Sequence, residues 1–168
     1  MAVNAAVIGT AYSEMHTEEC AMYKRLLVPV DGSNLSERAM RESIALAKQL
    51  GAAITGFVVE PDMPLPNAGT QPTAYARARA KHEQRTDGHA HELLSQFGAL
   101  CSESGIAFSG RHACTDRVDV AIVDTARELE CDMIVMVTHG RGVFGELLLG
   151  SHTKNVLTKS KIPLLVLH

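Results

Sequence analysis

The run KRLLVPVDGS, residues 24–33, decides how this chain is read. From Leu26 to Val30 it is almost continuously apolar, the pattern of a strand covered on both faces. Asp31, Gly32 and Ser33 then break it with turn chemistry. The next segment, NLSERAMRESIALAKQL (34–50), places Met40, Ile44 and Ala47 on one helical stripe, with Ser33 or Ser36 available as its cap. Gly51 ends that helix, and AAITGFVVE (52–60) supplies a second strand.

The same alternation continues to the end of the chain. The prolines and glycine of PDMPLPNAGTQPT (61–73) forbid a regular element. A long polar helix is expected from about Ala74 to Cys101, with Leu93, Leu94 and Phe97 towards its end. Residues Ile106 to His112 read as a third strand, and Thr115-Asp116 as the opening of another helix. In that helix Val118, Ala121, Ile122, Thr125 and Leu129 share one face. DMIVMVTHG (132–140) gives a fourth strand, HTKNVLTKS (152–160) a short helix, and KIPLLVLH (161–168) a fifth strand. Strands alternating with helices predict an α/β fold: a five-stranded parallel sheet with helices on both faces. One domain over 23–168 suffices, preceded by a flexible tail over 1–22 that lacks periodicity.

Composition narrows the function. At 168 residues the chain can bury one sizeable core. A formal charge of −3 leaves no basic excess to neutralise phosphates, which argues against a nonspecific nucleic-acid binder. Cys20, Cys101, Cys114 and Cys131 follow no metal or disulfide spacing and read as free thiols of a reducing compartment. The first residues lack the basic start and continuous apolar core of a signal peptide, and no run approaches a membrane span. The expectation is a cytoplasmic protein with no membrane contact.

In an open doubly wound sheet, small molecules bind beyond the carboxyl ends of the strands, where strand order reverses. Two such ends are chemically marked, Pro29-Val30-Asp31-Gly32-Ser33 and Val137-Thr138-His139-Gly140. After Gly140 come Arg141, Gly142, Val143, Phe144 and Gly145, a loop that lets backbone N–H groups approach a phosphate. Gly150-Ser151 precede a helix whose first amides have no helical acceptor. Together these form a candidate phosphate cradle. It is neither a Walker A motif, since no Gly-Lys-Ser/Thr follows, nor the dinucleotide fingerprint, and glycine loops also serve as turns and caps without any ligand.

With LLVPVDGS, DMIVMVTHGRG…LLLGS and KIPLLVLH in that order, the chain resembles the small single-domain universal stress proteins from about Lys24 to His168. The resemblance implies a Rossmann-like three-layer sandwich with strand order 3-2-1-4-5. It also implies a homodimer formed through the last strand, 162–168, which suits an apolar run whose edge needs a partner. In nucleotide-binding members a glycine, two residues, a glycine, nine residues, then glycine and serine or threonine line the phosphates and ribose of ATP. Gly140, Gly150 and Ser151 match, while the first position is Val137, which either tightens the ribose side of the pocket or closes it. Asp31 corresponds to an acidic residue near the nucleotide, Val58 to a residue whose backbone meets the adenine, and Pro29 and Val30 to apolar wall. ATP acts in the family as a regulatory ligand for survival under stress, slowly hydrolysed by some members and not bound by others.

The individual residues keep two readings each. Asp31 contacts the nucleoside or a divalent cation, or else caps the next helix. His139 is a general base only if a second group orients it, and the sequence offers none; a structural hydrogen bond from the loop is the alternative. Arg141 reaches the outer phosphates or is a solvated loop arginine. Gly142 shapes the cradle or only loosens the loop. Mg²⁺ would bridge phosphate oxygens, although no protein ligand set stands out. His82, His89 and His91 read as exposed histidines of a polar helix, Met133 and Met136 as core, and Lys154, Lys159 and Lys161 as a solvated cluster. Three functions follow: regulatory ATP binding with at most slow hydrolysis, a dimeric interaction module without nucleotide, or an ATP hydrolase or phosphotransfer enzyme using His139.

Overall fold

The leucines and valine that open the reading above form the middle of the molecule. In the computed structural model, which describes residues 22–137 and 150–167, Leu26, Leu27 and Val28 are fully buried within strand β1 (Arg25–Pro29). Parallel strands flank it on both sides. Strand β2 (Ala53–Glu60) pairs with it from Arg25↔Ala53 to Pro29↔Phe57, and β4 (Met133–Val137) pairs at Leu26↔Met133 and Leu27↔Ile134. Strand β3 (Phe108–Cys114) lies outside β2, and β5 (Leu164–Leu167) outside β4. The sheet order is β3-β2-β1-β4-β5, all parallel, as the resemblance implies.

Helices cover both faces because alternate strand residues are apolar in both directions. Helices α1 (Asn34–Leu50) and α2 (Pro72–Glu103) enclose one core cluster with Leu26, Val28, Ile54, Val58 and Val135. Helices α3 (Val118–Glu128) and α4 (Ser151–Lys159) enclose another with Leu27, Phe57, Ile134 and Met136. Each fully buried large side chain contributes roughly 1.5–3 kcal/mol. Asp132 locks the start of the sheet: its carboxylate accepts the N–H groups of Lys24 and Arg25 at 2.7 and 3.1 Å. Its own N–H donates to the Arg25 carbonyl at 3.0 Å.

Several boundaries differ from the sequence reading, each for a local reason. Helix α2 starts at Pro72, because a proline at the first helical position lacks only an N–H that would find no helical acceptor. Helix α1 has Ser33 at its N-cap, but no side-chain cap bond forms; Ser36 instead bonds back to Asp31. Thr115 and Asp116 remain in the loop before α3. The Thr115 N–H donates to the Glu60 carbonyl, and the Asp116 carboxylate accepts the N–H of Asp62. Val118, Ala121, Ile122 and Leu129 of the expected α3 stripe pack on the core, and Asp119, Val123 and Ala126 are buried beside them, with Asp119 ion-paired to Lys159. Strand β3 runs two residues later than expected at each end, in the register that β2 sets.

The lysine cluster and the histidines are also less uniform than expected. Lys159 is ion-paired with the buried Asp119. His89 Nδ1 lies 2.5 Å from a Glu60 carboxylate oxygen, and His82 Nε2 lies 3.0 Å from the Pro61 carbonyl, so α2 is tied to the end of β2. Cys101 and Cys131 are buried free thiols, and burial pushes the Cys101 thiol up to about 11. Cys20 lies outside the described residues.

Gly56, in the middle of β2, generates a direct test of this packing. A Cβ there would sit 2.9 Å from ring atoms of both Phe97 and Phe108, whose rings pack 5.1 Å apart. Gly56→Ala is expected to cost about 1–3 kcal/mol. Urea unfolding should show a lower midpoint with an unchanged slope.

Candidate functional site

Strand β1 ends where its neighbours continue, and the crevice this leaves is the candidate site. The Val30 N–H makes a last ladder bond to the Phe57 carbonyl, 2.9 Å. The chain then turns through Asp31 and Gly32. Gly32 has φ +76°, which favours glycine, and a Cβ on it would lie close, at 3.0 Å, to His89 Nε2. A side-chain network holds the turn. Asp31 donates its N–H to Ser36 Oγ at 2.8 Å, and Asp31 Oδ1 accepts from the Ser36 hydroxyl at 2.7 Å and the Ser33 N–H at 3.0 Å.

Asp31 thus occupies one carboxylate oxygen in the turn. Asp31 also lines the crevice. Burial pushes its carboxyl up, but hydrogen bonds from Ser33 and Ser36 outweigh that and hold it below the ordinary value.

The crevice is a cavity of about 500 Å³. Its walls differ in chemistry. Val30, Phe57, Val59, Val118, Ile122 and Met136 make an apolar floor and side, drawn from the residue after β1 and from β2, α3 and β4. Leu35 and Ala39 of α1 close the flank beside Ser33 and Ser36. Opposite stands the first turn of α4, with Gly150, Ser151, His152 and Thr153 facing the cavity. Gly150 is the helix N-cap and supplies no side-chain cap bond, so the first amides of α4 keep their donors for another acceptor. Thr153 is 4% exposed, and its hydroxyl has no hydrogen-bond partner among the described residues.

The structure brings together most of the residues singled out from sequence. Pro29, Val30, Asp31, Val137, Gly150 and Ser151 all line the cavity. Val137 is one of the lining residues. Val58 is placed differently. Its side chain is 1% exposed and belongs to the α1–α2 cluster, while Phe57 and Val59 on either side face the cavity. Ile54 donates to Ala107 and Glu60 accepts from Thr115, so even-numbered residues of β2 turn their main chain to β3. Odd-numbered residues turn theirs to the β1 side, where the Phe57 carbonyl accepts from Val30. His139, Gly140, Arg141 and Gly142 lie outside the described residues.

Sequence reasoning missed Ser36, Phe57, Val59, His152 and Thr153 as site residues. The period-2 alternation of β2 was available as a signal for Phe57 and Val59, and the i, i+3 offset from Gly150 for Thr153. The α3 contribution, Val118 and Ile122, depends on how two helices dock and had no local signal.

Comparisons with known proteins agree with this geometry. The family model for the universal stress protein family matches residues 22–168. The chain is similar to a Thermus aquaticus protein, the universal stress protein in the QAH/OAS sulfhydrylase 3'region. They are 30% identical over 145 residues, 86% of this chain and 98% of that one. Among solved structures, universal stress protein UspA from Lactobacillus plantarum superposes with TM-score 0.69 at 22% identity, over 87% of this chain and 98% of that one. The Archaeoglobus fulgidus universal stress protein in complex with dAMP matches at TM-score 0.54 and 23% identity, covering 88% and 99% of the two chains. Two further structures of this fold hold nucleotides, one universal stress protein with cAMP and an Arabidopsis thaliana family protein with AMP.

The turn network carries its own test. A carboxylate with a depressed pKa adds stability that is complete above its ordinary value, 3.8, and is lost as pH falls through its folded value. Ser36→Ala removes one donor to that carboxylate and one acceptor from the Asp31 N–H. The Asp31 pKa, read by carboxyl NMR titration, should rise, and stability at neutral pH should drop by about 1 kcal/mol. That difference should shrink as pH is lowered through the Asp31 titration.

Proposed function

We propose a nucleotide-binding function for this cavity on one premise: the chain belongs to the universal stress protein family. The ligand is ATP, held as a regulatory ligand with at most slow hydrolysis in a cytoplasmic stress-response protein. What supports the reading is the division of the cavity walls. A flat base suits the apolar side of Phe57, Val59 and Met136, and phosphates suit the first turn of α4, where free amides and the Ser151 and Thr153 hydroxyls converge. The volume of about 500 Å³ falls within the usual range for a cofactor-sized ligand, with Val137 in place. Relatives of the same fold that hold dAMP, cAMP and AMP point to an adenine nucleotide.

Asp31 offers its carboxylate, at the cavity wall, to the ribose or to Mg²⁺. One carboxylate oxygen plus phosphate oxygens is a common Mg²⁺ arrangement, so the residues present suit a cation carried in with the nucleotide. His139, Gly140, Arg141 and Gly142 complete the phosphate side in this reading, as the family motif implies. The whole of 23–168 acts as a single domain.

The family also implies a homodimer through β5, and the ladder geometry supports it. Ile134 donates to the Pro163 carbonyl, so Pro163, Leu165 and Leu167 turn their main chain to β4. Leu164 and Val166 turn theirs outward along the sheet edge, where a second copy would pair. Val166→Pro removes an outward donor without touching the β4–β5 ladder. Sedimentation should change from dimer to monomer at micromolar concentration, with unaltered circular dichroism.

The nucleotide reading is tested by titrating ATP with Mg²⁺ into the purified chain, after mass spectrometry of small molecules released on denaturation. Saturable binding is expected. Ser151→Asp should weaken it at least about tenfold through repulsion of phosphate, while leaving α4 intact because an acid suits a helix start. Absence of binding at millimolar ATP would leave the chain as an interaction module.

A further inference from the structure

The start of α2 stands outside the packed molecule. The residues this helix buries, Thr86, Ala90, Leu93, Phe97 and Cys101, all lie from Thr86 onward. From Pro72 to Arg85 every residue is exposed except Tyr75 and His82, which are half-buried. The contact of His82 Nε2 with the Pro61 carbonyl, 3.0 Å, marks where this stretch leaves the end of β2. Beyond His82 the helix extends for about 15 Å to Pro72, at a rise of about 1.5 Å per residue. The loop 61–71, turned by a hydrogen bond from the Thr70 N–H to the Asn67 carbonyl, leads into its tip. Loop and helix together form an arm.

The arm carries a stripe of positive charge. Arg77, Lys81 and Arg85 follow one another at intervals of four, so they share one side of the helix, and all three are exposed. None of them forms an ion pair or a side-chain hydrogen bond among the described residues. Elsewhere the exposed helical arginines have carboxylates one turn away: Arg38 with Glu42, Arg41 with Glu37, and Arg79 with Glu83, at 2.6, 2.6 and 2.7 Å. The acids nearest the stripe are engaged elsewhere, Glu83 by Arg79 and Asp87 by His112. Like charges four residues apart disfavour a helix, so the stripe works against the local structure that carries it. An anionic partner would relieve that repulsion.

We propose that this arm docks an acidic helix of a partner protein, with Arg77, Lys81 and Arg85 facing carboxylates at the same four-residue interval. The three cations rise in steps of about 6 Å, the spacing of side chains four apart on a second helix. Ala74 and Ala78 beside the stripe are small enough for two helix axes to approach closely. A membrane surface is disfavoured, because Leu65 in the loop is the arm's one strongly exposed large apolar side chain and the stripe itself is flanked by alanines. Nucleic acid is disfavoured by the formal charge of −3 and by three cations with no aromatic side chain among them. Exposed ion pairs each contribute little, so the stripe acts on the choice and approach of the partner and weakens with salt. The proposal is independent of any nucleotide in the cavity.

The experiment is an NMR titration of the full chain at low and at physiological salt with two alanine-based helical peptides. One carries three glutamates four residues apart; its isomer has the same composition with the glutamates scattered round the helix. The spaced peptide should shift amides of residues 74–85 saturably and bind at least about fivefold tighter than the isomer. The triple variant Arg77→Ala/Lys81→Ala/Arg85→Ala should weaken it at least about tenfold, and Lys81→Ala alone about threefold. Alanine favours the helix, so circular dichroism should be unchanged. Arg79→Ala, on the same helix but outside the stripe, should bind within about twofold of wild type. Equal binding of the two peptides would overturn the proposal, since only net charge would then be read. Full affinity in the folded triple variant would overturn it too, as would absence of binding at low salt. Duplex DNA or phosphatidylserine vesicles that bind the stripe more tightly than the spaced peptide would assign it another occupant and overturn the protein partner. Self-association of the wild type that is lost in the triple variant would do the same in favour of a second copy.

Discussion

The burial of β1 on both faces is the constraint on which the rest of this molecule depends. Leu26, Leu27 and Val28 need apolar cover above and below, and their backbone groups need a partner on either side. A strand with those demands is internal to a parallel sheet, so the chain builds outward from it, first to β2 and β3 and then back across to β4 and β5. The reversal of direction leaves β1 flanked at its carboxyl end by strands whose connections depart to opposite faces. A crevice opens there by topology. The cavity is a consequence of where β1 stands before any residue in it has been chosen for a ligand.

The two core clusters then divide the labour of shaping that crevice. The α1–α2 side is continuous, with Phe97 and Phe108 filling the space that Gly56 leaves. The α3–α4 side is thinner and turns hydroxyls, amides and His152 toward the cavity mouth. Asp119 is the polar tie on that side. It is buried against α4, and its ion pair with Lys159 anchors the helix whose first turn forms one cavity wall. Breaking one partner of such a pair leaves a buried charge uncompensated, so the position of that turn depends on both residues.

The β1–α1 turn shows how the same residues serve folding and recognition. Asp31 caps the turn through Oδ1 and at the same time lines the cavity, so the residue that closes the turn also forms part of the wall. Gly32 and His89 meet behind it, and His89 is held by Glu60 at the end of β2. The polar helix α2 therefore braces the site from outside, through histidines that look solvated in the sequence.

Read alone, the sequence determined the element order, the parallel sheet with helices on both faces, and the two strand ends at which a ligand would sit. Those follow from local rules: apolar runs mark buried strands, periodicity marks helices, and glycine marks turns with positive φ or close approach. The resemblance to a family then supplied the strand order and the glycine-serine motif. Only the tertiary structure decided which side of each element faces the cavity. Val58 enters the opposite cluster while Phe57 and Val59 line the site, because a strand between two covered faces is apolar on both and alternation alone does not say which face holds the ligand. Asp119 and Lys159 pair, and Thr153 is buried, only when α4 docks on α3. Burial, an ion pair across 40 residues and an unpartnered hydroxyl are properties of that contact between distant segments, and no window of sequence contains both partners.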